Sequence, residues 1–180
     1  SRVHPGIEDS SLFGGIDLAG TLATGHLRST VGVLAQSTTV LLTMAERAPA
    51  GLAARIARWL DDTGSCLIAL DEGVEPGEAL PNAIADRLGL FLSLEDMVHS
   101  EAEPFELLPE RISKARALLP LVHVDTHARE SLALVAASIG IDSMRAPLNA
   151  VSVARALAAW RGETEPSKAT LRHAAELTMA

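Results

Sequence analysis

Two adjacent carboxylates, Asp71 and Glu72, close the apolar run CLIAL at 66–70, and Arg87 follows after a loop rich in Gly, Pro and Glu. This residue set suits phosphoryl chemistry. An Asp at a strand tip can hold Mg²⁺ through water, a Glu can orient an attacking water, and a guanidinium can neutralise a phosphate oxygen. A second arginine, Arg145, stands in SMRAP at 143–147. Plainer readings stand beside these. Arg87 can form an exposed ion pair with Asp86 or Glu78, Arg145 can be simply solvated, and Glu72, Glu75 and Glu78 can belong to a hydrated loop.

Other reactive side chains carry less. The block LFGGIDLAGTLATG at 12–25 is glycine-rich but lacks a Gly-Lys-Ser/Thr ending and a preceding strand, so it is not read as a phosphate loop. His123 and His127 have the i, i+4 spacing of helical metal ligands. Asp125 between them reads as a helix N-cap, so the histidines straddle a helix start and no metal ligand is assigned. Nothing resembles a serine-hydrolase nucleophile elbow. The single cysteine, Cys66, cannot form an internal disulfide and is expected to be a small buried thiol. Glu101, Glu103 and Glu106 read as a solvated connector, and Trp59 and Trp160 as core.

The elements that must position these groups follow from composition and pattern. The chain has 180 residues, 48% of them hydrophobic but only 3% aromatic and none Tyr, so its core must come from Leu, Ala, Ile and Val. A net charge of -8 argues against a nucleic-acid partner, because phosphate backbones need clustered Lys and Arg. No apolar run approaches the ~18–20 residues of a transmembrane helix. The first ten residues have no apolar signal-peptide core, and a start on Ser suggests a chain that begins inside a longer protein. A reducing compartment is expected.

Residues 1–36 read as loop with one short helix at 17–23. Unbroken apolar runs at 38–44, 66–70 and 90–94 read as buried strands. A helix between the first two carries Leu52, Ile56, Trp59 and Leu60 on one stripe, and a short one covers 82–88. Strand, helix, strand, helix, strand implies a parallel sheet. Beyond a polar connector at 96–104, four helices are expected: 107–119, 126–139, one from 143 to 162, and one after Pro166.

With these residues in place a resemblance can be stated. The strand order, Asp86-Arg87 after a short helix, and Ser143-x-Arg145-Ala146 in a helical lid resemble an AAA+ module. HPGI at 4–7, LFGGIDLAGTLATG, TMAER at 43–47, ALDEG at 69–73, ADRLGL at 85–90 and SMRAPLNAVSVARALAAWRG at 143–162 are similar to the D subunits of magnesium chelatase. The similarity runs along nearly the whole chain, and order and spacing make it more specific than any one motif.

The resemblance implies a fold and a set of roles. The fold is an α/β AAA+ module, a parallel sheet with flanking helices and its N-terminal part missing, followed by a small all-α lid. Its expected parts are a partial core at 1–95, a linker at 96–104 and a lid at 105–180. Relatives are expected to have a hairpin between Asp62 and Ser65 that is not seen in this sequence. Asp71 and Glu72 would form the sensor-one tip. The metal-binding strand would be the earlier VLLTMAER, where Met44-Ala45-Glu46 replaces the usual acids. Arg87 would be an arginine finger acting in trans, and Arg145 a sensor-two arginine.

Function then reads as a weakly or non-hydrolysing D-type subunit. It would assemble with the ATPase I-subunit ring and the porphyrin-binding H subunit. ATP and Mg²⁺ belong to the complex, none being assigned with certainty to this chain, and Mg²⁺ is inserted into protoporphyrin IX. The location would be bacterial cytoplasm or plastid stroma. Two alternatives stay open: an active MoxR- or chelatase-type ATPase with its Walker B acids at Asp71-Glu72, and a non-enzymatic interaction domain.

Overall fold

A computed structural model describes residues 1–95, 97–98 and 108–179. Their contacts divide the chain into two units, Ser1–Arg87 and Leu88–Ala180. The first unit runs β1 (Arg2–Val3), α1 (Asp9–Phe13), β2 (Gly14–Ile16), α2 (Leu18–Thr24), β3 (Ser29–Val31), α3 (Val33–Gln36) and β4 (Thr39–Leu42). A 3₁₀ turn at Ala45–Arg47, α4 (Ala50–Thr63), β5 (Cys66–Ala69) and α5 (Asn82–Ala85) complete it. The sheet order is β1-β4-β5, with both pairings parallel. Thr39 stands opposite Cys66 and Leu42 opposite Ala69, so β4 and β5 end level and present their following residues side by side.

Local chemistry explains the crossover between them. Leu52, Ile56 and Trp59 form a buried stripe along α4, and each such side chain contributes about 1.5–3 kcal/mol. Pro49 precedes the helix, where its missing N–H costs nothing. Gly64 ends it in a left-handed conformation, its N–H donating to Leu60 O. On the sheet, Val3, Val40, Leu42 and Leu67 are buried.

Several expectations need correction. Leu90, Leu92 and Leu94 form no strand and are 52%, 71% and 69% exposed. The Phe91 N–H donates to Leu177 O in the helical unit, so this run makes a single helix-end contact rather than a ladder. The third strand of the sheet is instead Arg2–Val3, within a segment read as loop. Among the described residues strand β5 is a sheet edge, and its side chains alternate: Leu67 is buried while Cys66 and Ile68 are exposed, so the thiol is not a core group.

The glycine-rich block is not plain loop. Strands β2 and β3 pair antiparallel around α2, which Asp17 caps by accepting from Gly20 N. Ile16, Leu18, Leu22, Leu27 and Val31 on this tongue are exposed. At its base Gly14 has φ +83°, and a Cβ on Gly32 would collide with the backbone of Phe13 and Gly14.

The second unit is helical: α6 (Pro109–Leu118), a 3₁₀ turn at Leu119–Leu121, α7 (Thr126–Ser138), α8 (Arg145–Arg161) and α9 (Lys168–Thr178). The connector at 96–104, apart from 97–98, and the acids Glu101, Glu103 and Glu106 lie outside the described residues. Helix α8 is the hub against which α6, α7 and α9 pack. Ala150, Ala154 and Ala158 are fully buried at i, i+4, i+8, and Thr170, Ala174 and Thr178 repeat that spacing on α9. Such small stripes let the helices approach closely. Trp160 is half-buried rather than core, with the Arg111 guanidinium 4.1 Å from its ring centre. No helix among the described residues is long and apolar enough to cross a membrane.

One polar network joins α8 to α9. Thr170 Oγ1 donates to Glu163 Oε2 at 2.8 Å and accepts from Arg161 Nη1 at 2.7 Å, while Ser167 N donates to Glu163 Oε2 at 3.1 Å. The Thr170 hydroxyl, then the Ser167 amide, Ser167 hydroxyl and Arg161 charge, hold the Glu163 carboxyl below its ordinary range; burial opposes them.

Two outcomes follow. A lowered folded-state pKa gives stability that is present above the unfolded value and lost as pH falls through the folded one. The helical unit should therefore lose stability on acidification below the ordinary glutamate range, and Glu163→Gln should flatten that slope in melting curves. Gly32→Ala should destabilise the tongue by about 1–3 kcal/mol, because backbone cannot yield as a side chain does. Faster amide exchange at residues 14–31 would register it.

Candidate functional site

The level ends of β4 and β5 bring four carboxylates into one corner. Past Leu42 the chain turns at Met44, whose φ of 46° is the only positive value at a non-glycine among the described residues. That geometry costs roughly 1–2 kcal/mol for an L side chain. Leu70 N donates to Leu42 O and Ala45 N to Leu70 O, so the two tips stay stitched beyond the strands.

Their acids serve the backbone. Glu46 is wholly buried on its side chain, and its Oε2 accepts from Glu72 N at 3.0 Å. Glu72 returns the contact, its Oε1 accepting from Met44 N at 3.3 Å. Asp71 accepts Gly73 N on one oxygen at 3.1 Å and Leu80 N on the other at 3.2 Å. Glu78 Oε2 takes Val74 N and Glu75 N at 3.1 and 3.2 Å. Arg47 answers the charge, its Nε 3.3 Å from Glu46 Oε1 and its Nη2 3.7 Å from Glu78. The first of these is an ion pair without hydrogen-bond alignment, since Glu46 Oε1 has no hydrogen-bond partner. Sequence reasoning singled out Asp71 and Glu72; the buried Glu46, in the 3₁₀ turn that follows β4, is their structural counterpart.

Arg87 lies just beyond α5 and is tied elsewhere. Its Nε and Nη2 donate to Asp61 Oδ2 at 2.9 and 2.6 Å, and its Nη1 donates to Ala83 O at 2.8 Å. The expected surface partners were Asp86 or Glu78. Glu78 pairs with Arg47 instead, and the contacting carboxylate is Asp61, near the end of α4. The hydrogen bond to Asp61 comes first in holding the Arg87 proton more tightly than usual, followed by the charges of Asp61 and Asp86, with burial opposing.

In the helical unit Arg145 opens α8 and is exposed, its N–H donating to Ser143 Oγ at 3.2 Å. The positive end of a 17-residue helix disfavours a cation, so the helix dipole does not favour an arginine here. One turn on, Asn149 Nδ2 donates to Leu88 O at 3.0 Å.

Asp125 caps α7, accepting from Ala128 N at 2.7 Å, as the sequence indicates. His123 and His127 line an open cavity of about 390 Å³ with Asp125, Ser131, Glu165 and Lys168. Among the described residues no group of three or more His, Cys, Asp or Glu side chains is arranged to hold a metal ion.

Asp71→Ala would strip two amides of their acceptor, at about 1 kcal/mol per bond. Faster proteolytic cleavage within 71–80, with little change in the melting midpoint, is the outcome to look for.

Residues 129–180 match the AAA lid domain family. The Magnesium-chelatase 60 kDa subunit of Cereibacter sphaeroides is 46% identical over 179 residues, covering 99% of this chain and 32% of that protein. The subunit of the same name from Rhodobacter capsulatus is 44% identical over 181 residues, again 99% and 32%. A solved putative ATPase from Cytophaga hutchinsonii superposes with a TM-score of 0.66 at 17% identity, covering 98% of this chain and 67% of that one, which speaks to fold alone. The chain thus spans about a third of the length of the curated relatives it matches. Along 99% of its length this chain, a parallel sheet with flanking helices followed by a helical lid, is similar to about a third of the magnesium-chelatase 60 kDa subunits.

Proposed function

We propose that this chain is the AAA+ module of a D-type magnesium-chelatase subunit that turns over little or no ATP itself and supports hydrolysis on a neighbouring I-type subunit. The observation that carries the reading is the use of the strand-tip acids. Both oxygens of Asp71 and one each of Glu46 and Glu72 accept backbone amides. A carboxylate that holds Mg²⁺ through water, or that orients an attacking water, must turn acceptor sites toward the ligand, whereas these acids turn part of theirs toward their own loop. Asp71 and Glu72 then act as a sensor-like tip that shapes the loop, and Glu46 marks a metal-binding position that has lost its metal.

In this reading ATP and Mg²⁺ belong to the assembled enzyme, with an H-type subunit carrying the porphyrin and insertion of Mg²⁺ into protoporphyrin IX as the outcome. Along the sequence this reading takes 1–95 as core, 96–104 as linker and 105–180 as lid, although residues 88–95 fall with the helical unit by their contacts. Arg87 is the finger offered to a neighbour's γ-phosphate, and Arg145 faces a nucleotide in its own subunit. When bound, Mg-ATP supplies the phosphoryl group and its charge; Arg87 supplies donors that meet this charge as it moves outward in the transition state. The bacterial relatives favour a cytoplasmic assembly.

The full-length subunit alone should show no appreciable ATP turnover, unchanged by Glu72→Gln. Mixed with an I-type ring, Arg87→Ala should cut hydrolysis at the sites it faces by about 10³-fold or more, the usual worth of an arginine finger. Robust turnover by the isolated subunit that Glu72→Gln abolishes would establish the alternative, an active ATPase with its water-positioning acid at Glu72. Wild-type turnover by a ring carrying Arg87→Ala would point to an interaction domain without nucleotide chemistry.

A further inference from the structure

We infer that Asp61 is a positioning residue that braces Arg87 for its role toward the neighbouring nucleotide; this rests on the reading of Arg87 given above. Asp61 lies in the last turn of α4, with Asp62 beside it and no basic residue in that turn. The negative end of a helix disfavours an acid, so α4 gains nothing from this carboxylate on its own account. It accepts from Arg87, distant in sequence and bound side-on through Nε and Nη2 to the single oxygen Oδ2.

A guanidinium carries five N–H donors. Among the described residues, Asp61 takes two and Ala83 O takes one, leaving one N–H on each terminal nitrogen. The Arg87 side chain is 21% exposed, so it is anchored along its inner side and still reaches solvent. Two fixed supports, one from α4 and one from α5, set the tilt of the plane. The remaining donors then point as a rigid pair rather than as the tip of a mobile chain. Such an arrangement suits an anion with two oxygens to offer, and a terminal phosphate is one. Asp61 touches no substrate in this account; it acts only through Arg87.

The test uses the full-length subunit assembled with its I-type ring. Asp61→Ala should lower kcat for ATP roughly 10- to 100-fold, the scale of an ångström-sized misplacement. Ring assembly by sedimentation and the melting midpoint should stay at wild-type values. Asp61→Asn, which keeps an acceptor oxygen, should recover part of the loss and serves in place of Asp61→Ala if that variant fails to fold. The double variant Asp61→Ala/Arg87→Ala should be no slower than Arg87→Ala alone, because a brace has no effect without what it braces.

The inference is overturned if Arg87→Ala slows the ring while both Asp61 variants run at wild-type kcat. It is equally overturned if Asp61→Ala speeds hydrolysis, as a restraining latch would, or if the double variant is slower than Arg87→Ala by a further factor. A ring indifferent to Arg87→Ala sinks the parent reading instead, so the two failures are distinguishable.

Discussion

The parallel pairing of β4 with β5 sets the geometry of everything around the strand tips. Because Leu42 and Ala69 stand level, Met44, Glu46, Asp71 and Glu72 leave the sheet at the same height. The ladder continues past the strands through Leu70 N and Ala45 N, and there carboxylates take over as acceptors. Charged acceptors make stronger hydrogen bonds than neutral ones. Glu46 is the buried member of this set, and Arg47 beside it keeps the corner from being purely anionic. Helix α4 brings the chain from one tip to the other strand, and its far end supplies the partner of Arg87.

What could be read in the sequence was mostly local. The α4 stripe, the Gly64 stop, the Asp125 cap and the helix ending before Gly162 each depend on residues within a turn or two, and each is present. The parallel sheet with flanking helices and the helical lid were likewise legible from the order of apolar runs. Strand β1 was not, because two residues have no periodicity, and its identity comes only from Leu41 and Leu42 across the ladder. Leu90, Leu92 and Leu94 misled in the opposite sense. An apolar run suggests a strand, but a strand needs a neighbour's amides, and the donor seen there, Phe91 N, meets a helix end.

The candidate site divides the same way. Asp71, Glu72, Arg87 and Arg145 stand out by residue type and by resemblance. Their partners do not. Asp61 is remote from Arg87 along the chain and looks like any acid on a solvated helix face, and only packing reveals it. The tongue at 14–31 shows a related limit. Its glycines suggested a loop, whereas Gly14 and Gly32 are required because two backbones cross there without room for a Cβ.

The corner at Glu46, Asp71 and Glu72 also bears on how such a module changes over evolutionary time. Once acids have become the acceptors for a loop's amides, they hold its shape and are no longer spare. Placing a fresh aspartate at residue 44 would add charge to a backbone already bent into the left-handed region, beside a buried glutamate with an oxygen lacking a hydrogen bond. The loop would first need other acceptors for Met44 N, Glu72 N and Leu80 N. A single substitution provides none of these, so each acid of the corner is bound up with the shape of the loop whose amides it accepts.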